Sequence, residues 1–186
     1  MIQDVPRIRI RLLRLTVVLL LLFATPPRSG AQTASESQIK AAYLYNFAKF
    51  VEWPARNFPS AATPIRLCVL NDHSFEAELN QVVRGKSIAG RPVSVVPVQN
   101  GEQSRGCQVL FMSSSQARQT RHVMAVLRDT SVLTVGETNG FVEEGGIINF
   151  IVQDDRVQFQ VNRKAANQAG LRISSRLLSL AKLVID

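Results

Sequence analysis

Histidine and cysteine are scarce in this sequence, which has two of each among 186 residues. The histidines, His73 and His122, stand far apart, and two of them cannot close a zinc site without help from clustered carboxylates. Gly85-Lys86-Ser87 resembles the end of a phosphate-binding loop, but position 80 holds Asn80 where that motif needs glycine, and no G-x-G-x-x-G occurs. We therefore expect no cofactor and no metal.

Signatures of nucleophilic catalysis are absent as well. The sequence has no G-x-S-x-G elbow, and a serine, histidine and aspartate set could be assembled only from the unrelated positions Ser113, His122 and Asp72. The run Ser113-Ser114-Ser115 is better explained as the cap of a helix. We predict no catalytic residue and a protein that is not an enzyme.

No apolar run reaches the roughly 20 residues that a membrane-spanning helix needs. The run from Leu15 to Ala24 is much shorter; it follows four arginines within residues 1–14 and precedes the small residues Ser29-Gly30-Ala31. This order is typical of a secretory signal peptide, and a membrane anchor is the alternative. We predict that residues 1–31 are a signal peptide cleaved after Ala31, and that residues 32–186 form one periplasmic domain.

Much of the formal net charge of +8 belongs to that leader. Removing it takes away five arginines and one aspartate, which leaves 17 basic against 13 acidic residues and a net charge near +4. Aromatic residues make up 6% of the chain and concentrate in the first predicted helix and in strands, while the basic residues are scattered. Nucleic-acid binding needs the two interleaved, so we do not expect it.

Short apolar segments alternate with helical patterns along the predicted mature chain. Helical spacing is clear from Ile39 to Val51, and the helix should end at Trp53-Pro54 because a residue before proline avoids the helical conformation. Strands are predicted at 65–70, 92–98, 107–112, 131–135, 147–152 and 157–161, and further helices at 75–83, 116–128, 162–169 and 174–183. This order predicts an α/β fold with a mostly parallel sheet covered by helices on both faces, a C-terminal antiparallel hairpin and two closing helices.

The two cysteines, Cys68 and Cys107, both lie in the predicted mature domain. An even count in an oxidising compartment favours a disulfide, and two buried free thiols are the alternative. In the chain-entropy model a loop of this length stabilises the fold by about 4 kcal/mol when it is closed. We predict the Cys68–Cys107 bridge.

Two segments carry a more specific signal. The first is KAAYLYNFAKFVEWP at residues 40–54, and the second extends from Gly140-Phe141 through the predicted hairpin to AGLRISSRLLSLA at residues 169–181. Both segments resemble the YfiR family of periplasmic regulators, and the resemblance covers nearly all of the predicted mature chain.

The resemblance implies a repressor of cyclic-di-GMP signalling. Such a protein binds the periplasmic domain of an inner-membrane diguanylate cyclase and holds it inactive, which lowers biofilm formation. An outer-membrane lipoprotein is then expected to draw the repressor away. Family members carry two disulfides: Cys68 and Cys107 match the first by position, and this chain has no cysteine after Gly140, where the second would fall.

Three residues are the predicted partner contacts: Trp53 at a helix end, and Phe141 and Glu143 between strands. Exposed apolar anchors on loops are typical of binding hot spots. We also expect a homodimer. The alternative function is that of a periplasmic small-molecule-binding protein, with its ligand at a topological switch point of the sheet.

Overall fold

A computed structural model describes residues 34–186, and the predicted signal peptide, residues 1–31, lies outside them. The helices are α1 Glu36–Lys49, α2 His73–Val83, α3 Gly101–Ser104, α4 Ala117–Val126, α5 Arg163–Gln168 and α6 Ser175–Leu178. The strands are β1 Val51–Glu52, β2 Ile65–Leu70, β3 Ser87–Ile88, β4 Arg91–Val98, β5 Val109–Met112, β6 Leu133–Gly136, β7 Ile148–Gln153, β8 Arg156–Asn162, β9 Arg172–Ile173 and β10 Leu183–Ile185. Short 3-10 turns lie at Ala55–Asn57 and Ser114–Gln116.

Within residues 34–186, eight strands form one sheet in the order β10-β8-β7-β6-β5-β2-β4-β3. The five central strands from β4 to β7 run parallel, β8 pairs antiparallel with β7, and β10 lies parallel to β8 at the edge. The remaining strands, β1 and β9, form a separate two-stranded pair. The predicted α/β class, with a mostly parallel sheet and an antiparallel hairpin of β7 and β8, is confirmed.

β2, β5 and β6 are almost wholly buried because helices cover both faces of the sheet there. Every residue of β5 is buried, and so is every residue of β6. On one side, which we call face A, α1 and α2 pack on the sheet around the rings of Phe47, Phe111, Phe150 and Phe159. On the other side, face B, a smaller core holds both cysteines together with Val123 and Leu127 at the inner side of α4.

Two helix starts show how the sequence sets these elements. Ser35 caps α1 through a capping box with Gln38, whose side chain returns a hydrogen bond to the cap. Asp72 caps α2 by accepting the Phe75 N–H at 3.0 Å. Each cap satisfies a backbone N–H in the first turn and so sets the residue at which the helix begins.

The prediction of a last helix at residues 174–183 is wrong over most of its length. Only Ser175–Leu178 is helical, and Leu183–Ile185 pairs with β8 as the edge strand β10. Leu180 is 63% exposed, although helical spacing would place it on the same face as the buried Leu177. The leucines and valine of this segment fit both the helical and the strand periodicity, and the pairing of residues 183–185 with β8 makes them a strand.

The bounds of two other helices also differ from the prediction. α1 ends at Lys49 rather than at Trp53, because Val51–Glu52 leaves the helix to pair with β9. The helix predicted at 116–128 is helical over 117–126 and follows the 3-10 turn at Ser114–Gln116. In both cases the change lies at an element boundary, where backbone pairing or a turn overrides helical spacing.

Candidate interaction surface

The predicted disulfide is present. Cys68, in the middle of β2, and Cys107, just before β5, are bonded with their Cα atoms 5.9 Å apart, across a sequence separation of 39. Both residues are 1% exposed. The bridge therefore lies inside the core of face B, and the alternative of two free thiols is wrong.

Trp53 lies directly after β1 and is half-buried. Its indole Nε1 donates a hydrogen bond of 3.1 Å to the carbonyl oxygen of Gln108, the residue that follows Cys107. Gln108 is itself buried, and its side-chain Oε1 accepts the Arg66 N–H at 2.8 Å. Trp53 is thus held against the first residues of β2 and β5, and only part of its ring remains for contact with another molecule.

Phe141 is 1% exposed, so the prediction that it is an exposed anchor is wrong. Its ring lies between Gly136, at the end of β6, and Gly146. A Cβ atom at Gly136 would come within 2.6 Å of the ring, and one at Gly146 would also collide with it. The two glycines therefore form a slot for the Phe141 ring.

Glu143 is exposed on the loop that Phe141 anchors. The loop is closed by a hydrogen bond from Gly146 N–H to the Phe141 carbonyl at 2.8 Å, and by one from Asn162 Nδ2 to the Val142 carbonyl at 2.7 Å. Glu144 beside it forms an exposed ion pair of 3.6 Å with Arg121 of α4. A loop that is fixed at its base in this way presents the Glu143 carboxylate to solvent in a defined place.

The structure does not bring all three predicted contacts together. Trp53 packs against the face A core, whereas Phe141 belongs to the face B core on the other side of the sheet. Glu143 lies close to Phe141 in sequence, so it shares the face B loop. Any partner that contacts Trp53 and Glu143 at once must reach around the sheet.

A polar cluster lies at the carboxyl ends of β5 and β6. The Nζ atom of Lys40, which is buried, donates to Glu36 and, at 2.6 Å, to Glu137. Glu137 also accepts the Ser114 N–H at 2.8 Å. Burial by itself would lower the pKa of Lys40, but the hydrogen bonds and charges of Glu137 and Glu36 outweigh it, so this pKa is raised. The cluster satisfies its own charges and fastens α1 to the sheet.

Asp72 follows β2 at the topological switch point of the sheet, where β2 has β4 on one side and β5 on the other. Partial burial raises the pKa of Asp72, but the Phe75 N–H and the hydroxyls of Ser74 and Ser113 lower it by more, so the net shift is downward. The Ser113 hydroxyl lies 2.8 Å from that of Ser115. The His73 ring, one residue after Asp72, instead contacts the Glu76 carboxylate, with Nδ1 and Oε2 3.3 Å apart.

The C-terminal side of the sheet carries a feature that the sequence reasoning missed. The large hydrophobic residues that are exposed within 34–186 are Val152 at 51%, Leu180 at 63% and Leu183 at 45%, and all belong to β7, β10 or the segment before β10. Two buried side-chain oxygens here, Asn149 Oδ1 and Gln158 Oε1, have no hydrogen-bond partner. The run Leu183-Val184-Ile185 is compatible with a strand, since three consecutive aliphatic residues favour that conformation.

No group of three or more histidine, cysteine or acidic side chains within residues 34–186 is placed to hold a metal ion. No helix in that part of the chain has the length and apolar character that crossing a membrane requires.

Comparison with known proteins gives one family and a general fold. A family model described as YfiR/HmsC-like matches residues 37–182. Among solved structures, the chain is similar to a conserved domain protein from Vibrio cholerae, with a TM-score of 0.56, 11% identity and 81% of this chain covered. It is also similar to an ABC domain from Streptococcus pneumoniae in complex with L-Trp, with a TM-score of 0.51, 12% identity and 80% coverage.

The chain spans 60% of the length of each of these two structures, and at such low identity they show the shared fold alone. No curated protein matches.

Proposed function

The chain belongs to the YfiR/HmsC-like family, and on that premise we propose that it represses an inner-membrane diguanylate cyclase by binding the cyclase's periplasmic domain. The family is one of regulatory, non-catalytic periplasmic proteins that act on a diguanylate cyclase. Its model matches residues 37–182, nearly the whole described chain, and this match carries the proposal. Binding would lower cyclic-di-GMP and biofilm formation, and an outer-membrane lipoprotein would compete for the repressor.

Two features of the chain support the proposed compartment. Residues 1–31 have the order of a secretory signal peptide, which supports export and cleavage before Gln32. The Cys68–Cys107 bridge supports an oxidising compartment, since such bonds are rare in the reducing cytosol. We propose that the mature protein acts in the periplasm as a homodimer.

Glu143 and Trp53 remain the proposed partner contacts, and they differ in what they offer. Glu143 presents a carboxylate on a loop that is fixed by Phe141 and Asn162, so binding would cost little ordering of the backbone. Trp53 offers the exposed part of an indole whose N–H is already bonded to Gln108. Phe141 is proposed to act indirectly, as the support that holds Glu143 in place.

Capture from membranes tests this proposal. Mature protein immobilised through a tag should retrieve a diguanylate cyclase from detergent-solubilised inner membranes. Glu143→Lys should reduce the amount retrieved about tenfold or more, because reversing a charge at an interface removes one attraction and adds a repulsion. Glu102→Lys, at another exposed acidic position on α3, is the matched control and should retrieve as much as the unaltered protein. Failure of the unaltered protein to retrieve any cyclase would contradict the proposal.

The alternative function, small-molecule binding, has one observation in its favour. A cavity of about 440 Å³ lies beside α4 and α5 and is lined by Met124, Leu127 and Ile147 together with Arg121 and Arg128. Its lining does not include Asp72, so it is not at the topological switch point where the ligand was expected. Ligand sites typically have volumes of about 300–1,000 Å³. A thermal-shift screen against amino acids and vitamins would separate the two functions, because a specific ligand should raise the melting temperature and Met124→Trp, which fills the cavity, should abolish that rise.

A further inference from the structure

Within residues 34–186, the outer edge of β10 carries backbone groups that pair with no other strand. The Lys182 N–H donates to the Phe159 carbonyl of β8 at 2.8 Å, and β10 continues parallel to β8 with Val184 opposite Val161. Backbone groups of successive residues in a strand point to opposite sides. The N–H and C=O groups of Lys182 and Val184 therefore face β8, and those of Leu183 and Ile185 face away from the sheet.

The two edges of the sheet differ in how well they are protected against pairing with a strand of another molecule. At the opposite edge, β4 is covered for part of its length by β3, and Pro97, which shares the outward side of Val93, removes an N–H donor from the uncovered part. Natural proteins use prolines and short covering strands in this way to prevent edge-to-edge pairing. β10 has no proline, and Leu183 is 45% exposed.

The sequence of β10 is complementary to itself. If two copies pair antiparallel about Val184, then Leu183 of one copy lies opposite Ile185 of the other, and Lys182 lies opposite Asp186. Leu183 and Ile185 are the residues whose backbone groups face outward, so they form hydrogen-bonded pairs in this register. The side chains of both residues project on face B, so each Leu183 also meets an Ile185 side chain.

We propose that a second copy of this chain binds at β10, with the two β10 strands antiparallel and centred on Val184, so that the sheet continues across the dimer. The inference rests on the homodimer of the proposed function and names its surface. Charge complementarity supports a second copy as the occupant: Lys182 of each copy faces Asp186 of the other, and the arrangement occurs twice because the contact is symmetric. Asp186 also pairs with Arg163 of its own chain at 2.6 Å through one carboxylate oxygen, which leaves the other for Lys182.

Apolar surface beside β10 adds area that a three-residue strand pairing lacks. Leu180, which precedes β10, is 63% exposed and supplies such apolar surface. On the neighbouring strand β8, the buried Gln158 Oε1 has no hydrogen-bond donor. Stable interfaces bury about 1,200 Å² or more in total, so contacts of this kind must accompany the strand pairing. The exposed apolar residues of the described chain concentrate on this side of the sheet, as the proposed dimer requires.

A charge swap tests the surface and its register together. In sedimentation velocity of the purified mature protein, Lys182→Glu should raise the dissociation constant of the dimer about tenfold or more, since it places two pairs of like charges opposite each other. Asp186→Lys should weaken the dimer to a similar extent. The double variant K182E/D186K restores opposite charges and should return the constant to within about threefold of the unaltered value. Arg118→Glu on α4 makes the same change in net charge away from β10 and should have no effect.

Each result of this experiment decides the inference. A monomer at all concentrations would overturn both the homodimer and its surface. A dimer that neither single variant weakens would leave the homodimer standing and overturn the β10 surface. Weakening by Arg118→Glu as well, or no recovery in the double variant, would overturn the proposed register. Capture of the cyclase is measured separately, so failure of the repressor proposal remains distinguishable.

Amide hydrogen exchange gives a second, independent readout of the same surface. In the unaltered protein the amides of Leu183 and Ile185 should be protected, because they donate to the second copy. In Lys182→Glu these two amides should exchange about tenfold faster or more, whereas the Val184 amide, which faces β8, should change little. Equal protection of all three amides in both proteins would contradict the pairing.

Discussion

The strands of the two halves of the sheet differ in sequence pattern and in surroundings. β5 and β6 are buried at every residue, and the face B core with its disulfide lies over this half. β8 alternates instead: Val157, Phe159 and Val161 point to face A, while Gln158 and Gln160 between them point to face B. An alternating strand is typical of a sheet with one face on the core and one near solvent. The comparison indicates that the β2–β6 half supplies stability and that the β7–β8–β10 half supplies surface for contact.

Removing the disulfide should have the largest effect on stability. The variant C68S/C107S should lose about 4 kcal/mol of unfolding free energy, because the unfolded chain regains the freedom of the closed loop. Urea denaturation of the mature protein measures the loss, and the unaltered protein in reductant is the matched comparison, since it should lose a similar amount. A loss below about 1 kcal/mol would contradict the view that this half of the molecule carries the stability.

Shortening Phe141 should have the next largest effect. Phe141→Leu should cost about 2 kcal/mol of unfolding free energy, because the slot between Gly136 and Gly146 is too rigid to collapse around a smaller side chain. Phe58→Leu, at a half-buried phenylalanine, is the control and should cost no more than half as much. If Phe141→Leu is neutral in denaturation but still reduces capture of the cyclase, then Phe141 contacts the partner directly and its supporting role is wrong.

Lowering the pH should reduce the stabilisation that one helix cap provides, because Asp72, the cap of α2 in the β2–β6 half, is ionisable. The pKa of Asp72 is lowered in the folded state, so its contribution is present above the ordinary aspartate pKa and is lost as pH falls through the lower folded value. Asp72→Ala should cost about 1 kcal/mol at pH 7 and much less near pH 2. Asn162→Ala, at the uncharged cap of α5, should cost the same at both pH values. Equal pH dependence of the two variants would contradict the assignment.

Exposed residues of the β7–β8–β10 half should matter least for stability. Leu180→Ser should change the unfolding free energy of the monomer by no more than about 0.5 kcal/mol, because the side chain is already largely in water. The same variant should weaken the dimer. Denaturation at low protein concentration, combined with sedimentation at high concentration, separates the two effects. A loss of several kcal/mol from the monomer would show that Leu180 belongs to the core after all.

The sequence predicted the longer strands of both halves but missed the edge strand β10. Continuous apolar runs such as Ile65–Leu70 identify buried strands, and the Cys68–Cys107 bridge followed from cysteine count and compartment. The segment from Ser174 to Leu183 was predicted as a helix because its leucines fit helical spacing, and only its pairing with β8 makes residues 183–185 a strand. Local pattern cannot supply a long-range pairing of this kind.

Among the predicted contacts, the outcome depended on the local environment of each side chain. Phe141 was expected to be exposed because it lies between strands, but Gly136 and Gly146 create space for its ring. Glu143, two residues further along, is exposed as expected. Burial of a loop aromatic depends on what packs over it in three dimensions, whereas a carboxylate stays at the surface because its desolvation is costly.

The account rests on contact with a diguanylate cyclase outside the cytoplasm, and the level of cyclic-di-GMP tests this most directly. Mass spectrometry of cell extracts should show a several-fold rise when the gene for this protein is deleted. The rise should be reversed by the full chain but not by residues 32–186 made without the leader. An unchanged level after deletion, or full reversal by the leaderless chain, would contradict the account.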